Sequence, residues 1–303
     1  MEQTIFTAKQ LQKKYKHQMA VSNVSFTLER GRIYGLIGEN GAGKTTLIRM
    51  ISGLIRTSGG EMEIMGKSGE RELVQARKKI SALVENPAIV RNYTGKDNIK
   101  FLMQLYGITE SDLPERLLTK VGLDPSDVKK AKHYSLGMRQ RLGIAMCLVG
   151  EPELLVLDEP INGLDPLGIR EIRDLLKQLC NEGKTILISS HILSEMQELA
   201  TDYIMMSRGS IVDVISADQL LSKCEQLLLI RSLDDDKTFK TLKEMGYAEV
   251  ERREDQIILH GDYDTTAVAR RLMEERVVVT EFYCKGTSVE DYYISRIGGE
   301  KHE

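Results

Sequence analysis

The stretch Gly38-Glu39-Asn40-Gly41-Ala42-Gly43-Lys44-Thr45 places four residues between two glycines and follows the second glycine with lysine and threonine. This is the pattern of a phosphate-binding loop. The apolar run at 33–37 predicts a buried strand before the loop, and residues 46–50 predict the start of a helix after it. Because such a loop joins a strand to a helix, this context favours a nucleotide site over a chance match.

The residue types in this loop suit an anion. Glycines adopt backbone conformations that are closed to residues with a β-carbon, so consecutive N–H groups can surround a phosphate. The positive end of the following helix points to the same place. We expect Lys44 to reach the β- and γ-phosphates and the Thr45 hydroxyl to bind Mg²⁺. The alternative, a glycine-rich turn that only joins a strand to a helix, is disfavoured by the Lys-Thr pair.

The composition is that of an ordinary core-forming chain. Its 303 residues suit one large or two modest domains, with 29% charged and 41% apolar residues. The net charge of −3 gives no reason to expect a nucleic-acid surface. We find no apolar stretch long enough to span a bilayer and no secretory signal pattern. The chain is therefore expected in the cytoplasm, with attachment to a membrane protein left open.

The cysteines indicate no cross-linked framework. They show no C-x-x-C spacing, which favours reduced thiols over a disulfide or zinc site. The four are Cys147, Cys180, Cys224 and Cys284.

The order of predicted elements indicates a mostly parallel α/β core. Strand patterns dominate up to about residue 87, as at 4–8, 21–28 and 32–37. Short buried strands are expected at 154–157 and 185–189, on either side of a helix.

A helical block interrupts this core at about residues 88–150. Thr94 is expected to cap its first helix, and the periodicity predicts one apolar face made by Ile99, Leu102, Met103 and Leu105.

A small α+β domain is expected at residues 225–303, after a first domain at 1–217. Its predicted elements are strand 226–231, helix 236–245, strand 248–253, strand 256–260, helix 265–275, strand 277–284 and helix 288–296. This βαββαβ order suggests a split-βαβ domain. Residues 223–303 carry 13 lysines and arginines against 18 aspartates and glutamates, a net charge of −5, which suits nucleic acid poorly. The triplet at 234–236 is interpreted as a turn and helix start rather than a metal site.

Two acids close the buried run at 154–157. A strand of a parallel sheet delivers such residues to its carboxyl-terminal edge, where α/β folds bind ligands. Asp158 is expected to hold Mg²⁺, and Glu159 to polarise a water aimed at the γ-phosphate. Alone, the pattern also fits an ordinary strand with a charged end.

Two further motifs lie on either side of the acids. Residues 134–141, Tyr-Ser-Leu-Gly-Met-Arg-Gln-Arg, resemble the signature motif, usually written L-S-G-G-Q, of the ATP-binding subunits of ABC (ATP-binding cassette) transporters. Ser135 and Gly137 match this motif, whereas Leu136 and Met138 depart from it. Residues 162–165, Asn-Gly-Leu-Asp, are similar to the D-loop of the family. The resemblance covers roughly residues 4–217 and implies an ABC-type ATPase core with a mixed sheet.

The resemblance implies roles for individual residues. Tyr15 stands where the family has an aromatic residue that stacks on adenine, and its alternative is an inconsequential surface tyrosine. His191 follows a buried strand, as the switch histidine of the family does, and would contact the γ-phosphate; its alternative is a capping or core histidine. Asp165 would make a contact across a dimer, or else be a turn residue. Loop residues 38–45 and the next residue, Thr46, would bind ATP.

One position departs from the family pattern. The family usually has glutamine at the junction of core and helical block, where this chain has Glu85. A carboxylate there can bind Mg²⁺ but adds negative charge near a triphosphate. With a glutamate at this position, the chain resembles the branch of bacterial ABC subunits that export peptide antibiotics such as lantibiotics and bacitracin, or give immunity to them. Neutral variation of one side chain is the alternative.

The expected function is therefore that of an ATP-hydrolysing motor of a membrane exporter of peptide antibiotics or drug-like substrates, with Lys44, Glu159 and His191 catalytic. The resemblance implies a second copy of the chain, an integral membrane permease and a place on the cytoplasmic face of a bacterial membrane. Ser135 and Gly137 of one copy would then complete the ATP site of the other. A soluble ABC-type ATPase acting on ribosomes or DNA and an unrelated phosphate-loop kinase are the alternatives.

Overall fold

A computed structural model describes residues 3–16, 18–223, 226–253, 256–261, 263–286 and 289–298. The chain divides into two compact units, residues 1–217 and residues 218–303. Within the described ranges, no helix is long and apolar enough to cross a membrane.

The first unit contains ten strands among its described residues. These are β1 (Thr4–Tyr15), β2 (Gln18–Glu29), β3 (Ile33–Ile37), β4 (Gly59–Ile64), β5 (Lys67–Ser68), β6 (Ile80–Leu83), β7 (Leu154–Asp158), β8 (Thr185–Ser190), β9 (Asp202–Ser207) and β10 (Ser210–Ser216). Its helices are α1 (Lys44–Ile51), α2 (Glu70–Ala76), α3 (Gly95–Tyr106), α4 (Leu113–Lys120), α5 (Leu136–Leu148), α6 (Pro166–Asn181), α7 (Leu193–Gln197) and α8 (Ala217–Lys223), the last crossing into the second unit.

The central sheet has the strand order β10-β9-β3-β8-β7-β6. All neighbours pair in parallel except β9 and β10, so the sheet is mixed. Every residue of β3, β7, β8 and β9 is buried. Buried parallel strands form continuous apolar runs because both faces are covered. The predicted α/β fold class is confirmed.

A second sheet, with the order β2-β1-β4-β5, is antiparallel. Strand β1 continues to Tyr15, well beyond the predicted end at Ala8. Its polar second half hid it from the sequence pattern, and its pairing with β2 shifts register between Ala8 and Leu11. The two sheets share a core in which the Phe6 and Phe26 ring centroids lie 5.5 Å apart.

The inserted helical block runs from α3 to α5. Thr94 caps α3 as predicted, in a capping box with Asp97. Ile99 and Met103 are buried, but Leu105 is 69% exposed, so its predicted place on the apolar face is wrong. Six residues after Ile99, Leu105 lies about 120° round the helix from it.

The second unit follows the order β11 (Gln226–Ser232), α9 (Asp235–Glu244), β12 (Val250–Arg253), β13 (Gln256–Leu259), α10 (Thr265–Glu274), β14 (Val279–Gly286), α11 (Val289–Gly298). Its antiparallel sheet has the order β12-β13-β11-β14, the arrangement of a split-βαβ fold. Asp234 caps α9 by accepting from the Lys237 N–H, as its interpretation as a helix start requires. The expected first residue of the last helix, Ser288, lies outside the described residues, as does Cys224. The other three cysteines are free.

Gly143 sets the distance between α5 and the segment after β6. A β-carbon there would lie 2.5 Å from Leu83 Cδ1 and 2.8 Å from Pro87 Cβ, which is too close. We therefore expect Gly143→Ala to destabilise the first unit by roughly 1–3 kcal/mol through overpacking, although alanine favours a helix. Thermal unfolding measures this, with Gln104→Ala on the exposed side of α3 as the control. An unchanged or raised midpoint for Gly143→Ala would contradict the packing.

Candidate functional site

The loop at 38–45 joins β3 to α1, and its glycines are required by conformation and by space. Gly41 and Gly43 have φ angles of 86° and 103°, in the left-handed region. A β-carbon on Gly43 would lie 2.5 Å from the Ala20 carbonyl oxygen. Gly43 immediately precedes α1, so the loop brings its backbone to the positive end of that helix.

Lys44 keeps its ammonium group inside the loop. The side chain is only 6% exposed, and Nζ donates hydrogen bonds to the Gly38 oxygen at 2.6 Å and the Glu39 oxygen at 3.3 Å. Nζ also lies 3.6 Å from Glu159 Oε1. A buried cation held largely by carbonyl groups can exchange these partners for phosphate oxygens.

The two acids of the site stand at the end of β7, next to β8. Asp158 is buried, and its Oδ1 accepts a hydrogen bond of 2.6 Å from Ser189 Oγ. Glu159 follows the strand with a φ of 49°, and its side chain is 23% exposed. The acid pair is therefore divided into one buried and one partly exposed carboxylate.

His191 follows β8 and reaches Glu159. Its Nδ1 lies 2.7 Å from Glu159 Oε2. An ionised carboxylate only accepts hydrogen bonds, so pairing with ionised Glu159 requires Nδ1 to be the donor. Lys44, Glu159 and His191 thus form one connected row of polar groups.

This row lies in a cavity of about 750 Å³. The predicted residues that line it are Tyr15, Glu39, Asn40, Gly41, Ala42, Gly43, Lys44, Thr45, Thr46, Glu159 and His191. Six further lining residues were not predicted as site residues: Gln18, Met19, Ala20, Asn162, Arg208 and Gly209. Asn162 belongs to a motif that had been recognised, whereas the others reach the cavity through the β1–β2 and β9–β10 hairpins, which carry no motif of their own.

Tyr15 lies at the end of β1 and is 42% exposed. Lys13 Nζ lies 5.2 Å from the centroid of its ring. The ring is thus a partly open aromatic surface at the rim of the cavity, as stacking on a base requires.

Glu85 does not line this cavity; it forms an ion pair with Arg49 of α1. Its backbone has a φ of 60° and its side chain is 61% exposed. Since α1 begins at the phosphate-binding loop, this pair ties the junction segment to the same helix.

Ser135, Gly137 and Asp165 line a different cavity, of about 360 Å³. Ser135 caps α5 by accepting from the Met138 N–H, and Asp165 caps α6 by accepting from the Gly168 N–H. Most of the predicted site residues are therefore divided between two cavities that share no lining residue, and Gly38, Glu85 and Asp158 line neither cavity.

Comparisons with known proteins agree on one family. The family model described as ABC transporter matches residues 21–162. The bacitracin transport ATP-binding protein BcrA of Bacillus licheniformis is 35% identical over 300 residues, covering 98% of each chain. The lantibiotic transport ATP-binding protein SrtF of Streptococcus pyogenes is 41% identical over 202 residues, covering 67% of this chain and 86% of SrtF.

A solved structure shares the fold. It is the dimeric structure of a post-hydrolysis state of the ATP-binding cassette MJ0796 bound to ADP and Pi. The TM-score is 0.64 at 23% identity, over 70% of this chain and 99% of that chain.

Gly43 and Gly41 offer a test of the loop geometry in the protein without nucleotide. Both alanine substitutions place a side chain at positive φ, which costs roughly 1–2 kcal/mol. Only Gly43→Ala also brings a β-carbon against Ala20, since nothing lies within 4 Å of a β-carbon on Gly41. We expect a larger fall in the thermal midpoint for Gly43→Ala than for Gly41→Ala. Equal falls would show that the contact with β2 does not constrain the loop.

Proposed function

The chain belongs to the ATP-binding proteins of the ABC transporter family, and from this we propose that it drives export of a peptide antibiotic through a separate membrane subunit. Its relatives along nearly the whole chain include a bacitracin transport protein. The observation that carries the proposal is the row formed by Lys44, Glu159 and His191 in one cavity with the phosphate-binding loop.

The cavity suits a nucleoside triphosphate, in line with the ATP binding of the family. In our proposal the loop N–H groups and Lys44 hold the phosphates, and Tyr15 stacks on adenine. Glu159 polarises the attacking water, and His191 Nε2 contacts the γ-phosphate. The ion pair between Lys44 and Glu159 is consistent with these roles. A phosphate that binds Lys44 competes with Glu159 for the ammonium group and so releases the carboxylate.

The donor set fits Mg²⁺. Thr45 offers a hydroxyl and Asp158 a carboxylate, the hard oxygen ligands that Mg²⁺ prefers. The described residues contain no cluster of three or more metal-ligating His, Cys, Asp or Glu side chains. Mg²⁺ usually takes only one or two carboxylates and completes its shell with phosphates and water, so few protein ligands suffice. When bound, it would neutralise charge on the phosphates.

Glu85 is proposed to act on this site from outside the cavity. Its partner Arg49 is on the helix that begins at the loop. The ion pair offers a physical route between the junction segment and the phosphate site, in place of direct contact with the metal. In this proposal, Glu85 tunes the metal dependence of ATP hydrolysis or its coupling to the membrane subunit.

We further propose that the active unit contains two copies of the chain. Ser135 and Gly137 open α5 in a cavity away from the phosphate-binding loop. The capped N-terminus of α5 carries partial positive charge suited to a γ-phosphate. A second copy in head-to-tail arrangement would bring this helix to the phosphates, with Asp165 at the contact between copies.

The first unit offers a surface that suits docking of a membrane subunit. A groove of about 370 Å³ lies between the junction segment and helices α3 and α5. Its lining includes the exposed Leu54 and Tyr106, and Val84 and Asn86 on either side of Glu85. Exposed apolar side chains beside a groove are typical of a protein interface. A membrane subunit docked here would contact the segment that carries Glu85.

Glu159→Gln tests the proposed chemistry. Glutamine keeps the shape but cannot accept the proton, so we expect ATP hydrolysis to fall about 100-fold or more. Without hydrolysis, ATP and Mg²⁺ should convert the variant to a stable dimer, measured by light scattering. Glu110→Gln, which removes an exposed ion pair with Arg116, is a charge-matched control outside both cavities. A Glu159→Gln variant that stays monomeric and hydrolyses ATP at the wild-type rate would sink both the proposed base and the dimer.

Glu85→Gln tests the junction. The substitution removes the charge that pairs with Arg49, so we expect the Mg²⁺ dependence of hydrolysis or peptide-antibiotic resistance to change more than ATP affinity. ATP affinity is measured by equilibrium binding, and resistance in cells that produce the chain with its membrane subunit. Glu70→Gln, which removes an exposed ion pair with Arg56, is the control. Unchanged hydrolysis and unchanged resistance would remove the role of Glu85.

A further inference from the structure

Ser189 lies between the two acids of the site. It is fully buried in β8 and is paired directly with Asp158 of β7 in the parallel register. The hydroxyl therefore sits where the strand carrying the acids meets the strand that leads to His191.

One hydroxyl serves both acids. Ser189 Oγ donates its hydrogen to Asp158 Oδ1 at 2.6 Å and accepts the Glu159 backbone N–H at 2.9 Å. A serine hydroxyl has a single hydrogen, so its donation to the carboxylate leaves the lone pairs for the amide. The bond to a carboxylate is short, as charge-assisted bonds are.

The second bond supports a strained turn. Glu159 has a φ of 49°, a conformation that costs a residue with a β-carbon roughly 1–2 kcal/mol. Such conformations persist when surrounding contacts hold them. Ser189 fixes the amide of Glu159, while Lys44 and His191 contact its carboxylate.

The neighbouring serine, Ser190, contacts a different part of the site. Ser190 Oγ accepts the Ile192 N–H at 2.9 Å and so shapes the turn that carries His191. Ser189 therefore contacts the acids and Ser190 the histidine turn, although the two residues are adjacent.

We propose that Ser189 is a positioning residue that orients the Asp158 carboxylate for the metal and holds Glu159 in its turned conformation. The proposal rests on the proposed ATPase site. It adds a fully buried residue outside the lining of the cavity, bonded to the Asp158 carboxylate and to the Glu159 backbone. Removal of the hydroxyl leaves the Asp158 carboxylate without its donor and the Glu159 amide without its acceptor.

The first experiment is Ser189→Ala, which removes the hydroxyl and keeps the strand. In the nucleotide-free protein, hydrogen–deuterium exchange at the Glu159 amide should become faster. ATP hydrolysis should fall about tenfold or more, the fold-change of a lost hydrogen bond to a charged group. The Mg²⁺ concentration for half-maximal ATP binding should rise, whereas ATP affinity in EDTA should stay near that of wild type.

Three comparisons separate positioning from general damage. Ser207→Ala removes another buried serine hydroxyl from the same sheet, at the end of β9, and should change none of these quantities. Ser189→Thr keeps a hydroxyl and should restore slow exchange at Glu159. In an Asp158→Asn background, Ser189→Ala should shift the Mg²⁺ dependence of ATP binding little further, because residues that act through one another are not additive.

The outcomes are distinct. Wild-type exchange, hydrolysis and Mg²⁺ dependence in Ser189→Ala would overturn the positioning role while leaving the ATPase site intact. An equal loss of ATP affinity with and without Mg²⁺, or full additivity with Asp158→Asn, would also overturn it. Absence of ATP hydrolysis in the wild-type chain would instead reject the proposed function, whatever exchange at Glu159 shows.

Discussion

Parallel pairing of β3, β8 and β7 brings the carboxyl ends of three strands to one edge of the central sheet. One strand leads into the phosphate-binding loop, one into His191 and one into the acids at 158 and 159. Their register places Asp158 directly beside Ser189, and the Ser189 hydroxyl bonds both the Asp158 carboxylate and the Glu159 amide. A shift of one residue in β7 would turn Asp158 to the opposite face of the sheet and separate it from this hydroxyl.

The parts of the site that the sequence predicted are those specified by short local patterns. Gly43 and Lys44 could be recognised because a loop that wraps a phosphate needs residues without a β-carbon and an adjacent cation. Thr94 was predicted as a cap because capping depends on residues only three positions apart. The buried strands were found from continuous apolar runs, since both faces of a parallel sheet are covered.

The parts that were missed depend on contacts between distant segments. The ion pair of Glu85 joins the segment after β6 to Arg49 of α1, and no spacing in the sequence predicts this partner. Arg208 and Gln18 reach the cavity because two hairpins pack beside the loop, and hairpin packing leaves no local signature. Leu105 is apolar but exposed, so residue type alone predicts the wrong face for it. The role of Ser189 could not be predicted, because the sequence of a buried strand does not show which residue of the neighbouring strand its serine contacts.

In the proposed dimer, each chain carries halves of two different ATP sites. The most direct measurement mixes the Lys44→Ala and Gly137→Asp variants, each expected to be inactive alone, and follows ATP hydrolysis. A dimer containing one copy of each has one site with both lesions and one intact site made from the loop of one chain and α5 of the other. We predict that the mixture hydrolyses ATP well above the sum of the separate variants. A rate equal to that sum would contradict the shared site and place the whole reaction within a single chain.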